Sequence, residues 1–240
     1  MPFLNQVRRT LKHNPWVQAM SRALREPQFQ TSDQYWKARY RRHRNSGAGS
    51  YGRLAEFKAE ILNEFVREHR VGSVIEWGCG DGNQQALAKY PQYTGVDISA
   101  AAVKRCQRRF KSDPNKRFLV NAQAEKQRIT AELGLSLDVL YHLVEDSVFD
   151  DYMWTLFGSA QRYVGIYSSD YDRPGHVPHV RHRSFSRWIA DNAPNWHRIG
   201  FVANRYPHDP AEPDQTSWSN FGFFERMDSG TPERGETELG

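Results

Sequence analysis

The stretch VIEWGCGDGNQ, from Val74 to Gln84, limits the possible folds more than any other part of the chain. A short apolar run delivers the backbone into Gly78, Gly80 and Gly82, three glycines at every second position, with Glu76 before them and Asp81 among them. Without Cβ atoms such a turn bends freely and lets another group lie almost against the backbone. Upstream, Leu54, Phe57, Ile61, Leu62, Phe65 and Val66 fall on one helical face. Downstream, NQQALAKY reads as a helix start and YTGVDIS as a strand ending at Asp97. Strand, glycine turn, helix and strand form the opening unit of an α/β sheet.

The pattern continues. Ser99 is a good N-cap for AAAVKRCQRRF, whose Val103, Cys106 and Phe110 share a face, and RFLVN is a third strand. After a helical connection SLDVLYH reads as a fourth strand, followed by a helix carrying Val148, Phe149, Tyr152, Met153, Leu156 and Phe157 on one side. RYVGIYSS is a fifth strand, Ser184 suits the cap of FSRWIADNA, and HRIGFVANRY and NFGFFERM read as paired strands. The alternation predicts a mostly parallel sheet with right-handed crossovers and helices on both faces, with ligands bound beyond the carboxyl ends of its strands.

At 240 residues and 38% hydrophobic content the chain can bury one sizeable core. We read residues 1–50 as a basic helical appendage and cofactor-covering segment, 51–227 as the main domain, and the polar, glycine-rich 228–240 as a disordered tail. No stretch reaches the length of a membrane span and MPFLNQVRRTLK lacks a signal-peptide core, so the expected compartment is cytoplasmic. Cys79 and Cys106 form neither a disulfide framework nor a metal spacing.

The net charge of +5 is concentrated at one end. Residues 1–44 carry ten Lys or Arg against Glu26 and Asp33, a balance of +8 that leaves −3 for the rest. No aromatic stacking platform is interleaved with these cations, which argues against nucleic acid as the partner. Phe3, Leu4, Val7, Leu11, Trp16, Val17, Met20 and Leu24 recur beside Arg8, Arg9, Lys12, Arg22 and Arg25. Such a helix either packs on the domain or a second subunit, or makes peripheral contact with an anionic membrane, here the inner membrane surface.

Two cofactor classes use a glycine turn after the first strand of such a sheet. The dinucleotide fingerprint needs its third glycine at position 83, where this chain has Asn83, and the flanking acids oppose a pyrophosphate. Carboxylates instead suit a cofactor with a sulfonium and an ammonium group. Glu76, Gly78, Gly80 and Gly82 match the first motif of the class I S-adenosylmethionine-dependent methyltransferases, which the chain resembles from about Leu54 to Asp170. The resemblance implies a Rossmann-like sheet with its last strand antiparallel, and S-adenosylmethionine as cofactor. It also implies that Cys79 and Asn83 complete the cofactor turn, that Asp97 holds both ribose hydroxyls, and that adenine lies over Ile98 with Asn121 and Ala122 near its polar edge. Gly47, Gly49 and Gly52 make the preceding segment a candidate cover, with Arg53 a candidate partner for the cofactor carboxylate.

For the chemistry, a hydroxyl acceptor needs a base near the end of the fourth strand. His142 stands there, either as that base or as a packing or capping residue. His176, His179, His182 and Arg183 form a second cluster. Pro178 and the lack of a carboxylate at ligand spacing argue against a metal, and we read this loop as an acceptor wall whose His182 or Arg183 contacts polar or anionic substrate groups, with His182 as the alternative base. Similarity to stand-alone bacterial methyltransferases of polysaccharide or secondary-metabolite pathways implies a small-molecule or glycan acceptor, methylated on oxygen. The rival readings are a nucleic-acid or protein methyltransferase and a non-catalytic S-adenosylmethionine-binding module.

Overall fold

A computed structural model describes residues 29–227, so the N-terminal amphipathic helix and the polar tail expected above lie outside the described residues. The chain forms α1 (Ser32–Arg41), α2 (Gly52–Glu68), β1 (Val74–Trp77), β2 (Tyr93–Asp97), α3 (Ala100–Arg109), β3 (Lys116–Val120) and α4 (Asn121–Lys126). It continues with β4 (Ala131–Leu137), α5 (Asp146–Ser159), β5 (Ala160–Ser168), a small hairpin of β6 (Arg173–Pro174) and β7 (Arg181–His182), α6 (Phe185–Asn192), β8 (Trp196–Val202) and β9 (Asn220–Arg226).

Seven strands form one sheet in the order β3-β2-β1-β4-β5-β9-β8. The first five are parallel, and β9 runs antiparallel to both β5 and β8. Alternate strand residues feed two cores. Ile75, Val164 and Ile166 pack with Met153 and Leu156 of α5 and Ile189 of α6, while Val74, Leu133, Leu135 and Tyr163 pack with Leu62 and Phe65 of α2 and Val103 of α3. Each fully buried aliphatic side chain contributes about 1.5–3 kcal/mol, so both faces of the sheet are needed to hold its carboxyl edge in shape. Ser99 caps α3 by accepting from the Ala102 N–H at 3.4 Å.

Two expectations change. NQQALAKY forms only a 3-10 turn at Gln84–Ala86, because the Gln84 and Gln85 amides are buried and donate to Ala55 O (3.0 Å) and Glu76 Oε2 (2.6 Å), tying the chain down before a helix can propagate. The fourth strand ends at Leu137, earlier than SLDVLYH suggested. Asp138 takes a left-handed conformation (φ 59°) and donates its N–H to Tyr167 O at 2.9 Å, after which Leu140–His142 is a 3-10 turn. Such a backbone costs a non-glycine residue about 1–3 kcal/mol and persists only where its surroundings hold it.

Candidate active site at the carboxyl edge of the sheet

The glycine turn is held from below and covered from above. The N–H groups of Gly78 and Cys79 both donate to Val96 O, at 2.7 and 3.0 Å, fastening β1's end to β2. Gly80, at φ 60°, donates to Asp97 Oδ2 (2.9 Å), and Ser99 N donates to Asp97 Oδ1 (2.8 Å). A Cβ on Gly80 would lie 2.8 Å from the Tyr40 hydroxyl and collide with Ser46, so only glycine lets the covering segment close here. That cover is α1 and the turn after it. Ser32 N donates to Glu145 (2.9 Å), Ser46 N and the Tyr51 hydroxyl donate to Asp81 Oδ2 (3.0 and 2.7 Å), and Arg105 donates to the carbonyls of Arg44 and Tyr40.

Between turn and cover lies a cavity of about 340 Å³, within the usual range of cofactor and substrate pockets. Its walls include Trp36, Tyr40, Ser46 and Ser50 of the cover, Gly78, Asp97, Ile98 and Asn121 at the strand ends, and Asp138, Val139, His142 and Tyr152 beyond β4. Asp33, Asp97, Glu125, Asp138 and Asp151 line it, and among the described residues no Lys or Arg does. This charge pattern suits a cation. Asp97 is buried, and burial, only partly offset by its two backbone donors, pushes its carboxyl up to about 6. A carboxylate with lone pairs still open toward a cavity is suited to a vicinal diol, whose two hydroxyls donate without adding charge. The residues present therefore fit S-adenosylmethionine, a cationic group beside the carboxylates and a ribose at Asp97.

Other residues expected at the cofactor stand elsewhere. Glu76 is turned into the interior beneath the turn, where its Oε2 accepts from Gln85 Nε2 (2.6 Å) and the Tyr93 hydroxyl (2.8 Å), and burial raises its pKa. It shapes the loop and does not line the cavity. Arg53 points away as well: it donates to Glu212 (2.8 Å) and Gln215 O (2.6 Å), and its guanidinium lies over Tyr206. Cys79 is buried, its thiol pushed up by a hydrogen bond with Cys106 and by desolvation. Gly82 packs against Cys106 of α3 and Phe110, the residue just after it. Asn83 donates to Ser50 O at 2.8 Å and so ties the turn to its cover. Ala122 is exposed on α4 while its neighbour Asn121 reaches the cavity.

The two histidines separate. His142 is at the cavity wall, its ring 4.8 Å from Trp36 and 4.5 Å from Tyr141, and its Nδ1 bonds His179 O at 3.0 Å. A carbonyl can only accept, so Nδ1 carries the hydrogen and Nε2 is left with a lone pair. Desolvation lowers its pKa to about 4, so the ring is neutral at pH 7. His182 does not reach this cavity. It is buried at the end of β7, with Nδ1 2.7 Å from the Ser169 hydroxyl. Arg183, expected in the acceptor wall, instead donates to Leu143 O, Val144 O and Asp146, bracing the start of α5. Trp188 and Trp196 are core. Among the described residues no group of three or more His, Cys, Asp or Glu could hold a metal.

Lys58, on the buried side of α2 and 1% exposed, places Nζ 2.6 Å from Asp138 Oδ2, and Asp138 Oδ1 accepts from Tyr141 (2.9 Å) and Ser219 (3.2 Å). This network holds the strained turn that carries the cavity wall from Asp138 to His142. A lysine within the apolar stripe of Leu54, Phe57, Leu62 and Phe65 was the available signal.

A parallel sheet with one reversed strand near its edge, a glycine turn after the first strand and an acid at the second strand's end make up the class I methyltransferase fold. The family model for a methyltransferase domain matches residues 75–152, and no curated protein matches the sequence. Solved structures share the fold. The SAM-bound magnesium protoporphyrin IX methyltransferase of Synechocystis PCC 6803 aligns with a TM-score of 0.58 and 14% identity over 84% of this chain and 100% of that one. The N-methyltransferase NodS of Bradyrhizobium japonicum WM9, solved with S-adenosyl-L-homocysteine, gives 0.57 and 13% over 83% and 100%. The methyltransferase domain of bacterial CtHen1 gives 0.55 and 16% over 71% and 97%. Over the matched residues the chain carries a methyltransferase domain, and its fold is that of the class I S-adenosylmethionine-dependent methyltransferases. No described helix is long and apolar enough to cross a membrane.

Proposed function

We propose that the protein methylates a hydroxyl oxygen of a small, polar acceptor, a sugar-like or secondary-metabolite alcohol, with His142 as general base. The observation that carries this reading is the fixed tautomer of His142, a neutral ring with one nitrogen bonded to His179 O and the other holding a lone pair at the cavity wall. The cofactor, when bound, supplies a methyl group on a sulfonium that departs as a neutral thioether. Asp97 would hold the ribose hydroxyls, Ile98 would underlie the adenine and Asn121 would meet its edge. The cover from Ser32 to Tyr51 keeps water from the reacting centre, and the acceptor hydroxyl hands its proton to His142 Nε2 as its oxygen takes the methyl.

The carboxylate-lined cavity favours a second reading, an amine acceptor, which as an ammonium gains from the same acids before it is deprotonated. A panel of polyols, sugars, phenols and amines incubated with methyl-labelled cofactor, with products fragmented by mass spectrometry, separates the two. Label on oxygen supports hydroxyl transfer. Label on nitrogen alone, or only on RNA, DNA or protein, overturns it.

A further inference from the structure

Outside the cofactor cavity, an open hollow of about 630 Å³ lies beneath the loop between β6 and β7. Its charge is opposite to that of the cavity. Arg173, His176, Arg181 and His182 line it, with Asp172 the lone carboxylate. Asp172 is held by Arg187 (2.9 Å) and Arg181 by Asp146 (3.0 Å), whereas Arg173 has no ion pair among the described residues. His182 is the buried floor. Its ring stacks on Tyr171 at 4.9 Å and meets the edge of Trp218 at 5.5 Å. When the Ser169 hydroxyl donates to Nδ1, Nε2 carries the hydrogen and is a donor for an anion. The protonated form of His182 is disfavoured by burial first and then by Arg173 and His176 beside it, so the ring meets a ligand as a neutral donor.

The hollow adjoins the cavity. Leu143 lines one and Val144 the other. The Tyr141 ring lies 4.5 Å from His142 and 6.2 Å from His182, and His179 of the same loop accepts the hydrogen bond that sets the His142 tautomer. The cavity's acids repel an anion, so a negatively charged acceptor could react there only with its charge held somewhere else.

We propose that the hollow at Arg173, His176 and His182 is a subsite for an anionic group, phosphate or carboxylate, carried by the methyl acceptor, while the acceptor's neutral reacting group enters beside His142. The inference rests on the acceptor reading above and narrows it to anionic alcohols. Arg173 supplies a planar donor pair and His182 a buried directional one, its ring held by Tyr171 and Trp218.

The test uses the full chain. Ring signals of histidine-labelled protein are followed by NMR during titration with inorganic phosphate and, separately, acetate, at ionic strength held constant with chloride. We expect saturable shifts at His176 and His182 with one or both anions, the stronger anion naming the group. The double variant Arg173→Gln/His176→Gln, both positions exposed, should bind that anion at least about tenfold more weakly and leave cofactor affinity within about twofold. With acceptors, phosphorylated or carboxylated alcohols should show a lower KM than their neutral parents, and the advantage should vanish in the double variant. The absence of a saturable shift with either anion, equal binding by the double variant, or methyl transfer to neutral and anionic alcohols with equal KM would overturn the subsite. Saturable, variant-sensitive anion binding without methylation of any alcohol would leave the anion site standing and overturn hydroxyl transfer instead.

Discussion

Replacing His142 by Asn removes the Nε2 lone pair while its side-chain amide can still donate to His179 O, so the variant separates the base from the packing residue. Burial lowers the His142 pKa from 6.5 to about 4. The neutral ring therefore adds stability in full above pH 6.5, and the contribution is lost as pH falls toward 4. That gap corresponds to about 3 kcal/mol, and because the ring is only half-buried, with an edge open to cavity water, about 2 kcal/mol is the working figure. Urea unfolding at pH 7.5 and pH 4.5 should show wild type losing about 2 kcal/mol more than His142→Asn over that interval. In turnover assays the variant should be slower by about a hundredfold or more with cofactor affinity within a few-fold. The wild-type acid limb of kcat should lie well below that of kcat/KM for the cofactor, which Asp97 sets near 6. Parallel stability curves for the two proteins, together with turnover in the variant within a few-fold of wild type, would return His142 to a packing role.

Three further outcomes follow from the geometry. Lys58→Met leaves Asp138 charged, almost buried and without its cation, and should cost about 3–5 kcal/mol in urea unfolding, largely recovered by adding Asp138→Asn; a loss under about 1 kcal/mol would mean the pair does not hold the turn. Arg53→Ala should leave S-adenosylmethionine affinity within about twofold by calorimetry, since its partners are Glu212 and Gln215, and a tenfold loss would restore it to the cofactor site. Asp81→Ala removes the acceptor for Ser46 N and Tyr51, so amides from 46 to 51 should exchange hydrogen faster while the sheet is unchanged; equal protection would show that other contacts hold the cover.

What the sequence revealed of this site followed from how local each feature is. Gly78, Gly80 and Asp97 depend on a turn between two adjacent strands, and a run of apolar residues ending in glycines is enough to place them. Side-chain direction is another matter. β1 is buried on both faces, so no polar alternation shows which way Glu76 points, and it turned toward Tyr93. Arg53 adjoins the cover in sequence, but its partners lie more than 150 residues downstream. LDVLYH is apolar enough for a strand, and only the buried Lys58 from a distant helix explains why Asp138 can bend it. His142 and His182 are equally plausible bases by composition, and what separates them, the carbonyl of His179 and the hydroxyl of Ser169, is tertiary.

If Asp97 and the glycine turn bind S-adenosylmethionine, calorimetric titration of the full chain at pH 7.5 will separate wild type from Asp97→Ala. The substitution removes the acceptor of two charge-assisted ribose hydrogen bonds, about 2–4 kcal/mol, so affinity should fall about 30- to 1,000-fold while circular dichroism shows the fold retained. Cofactor binding of equal strength in both proteins, with the fold intact, would contradict the account.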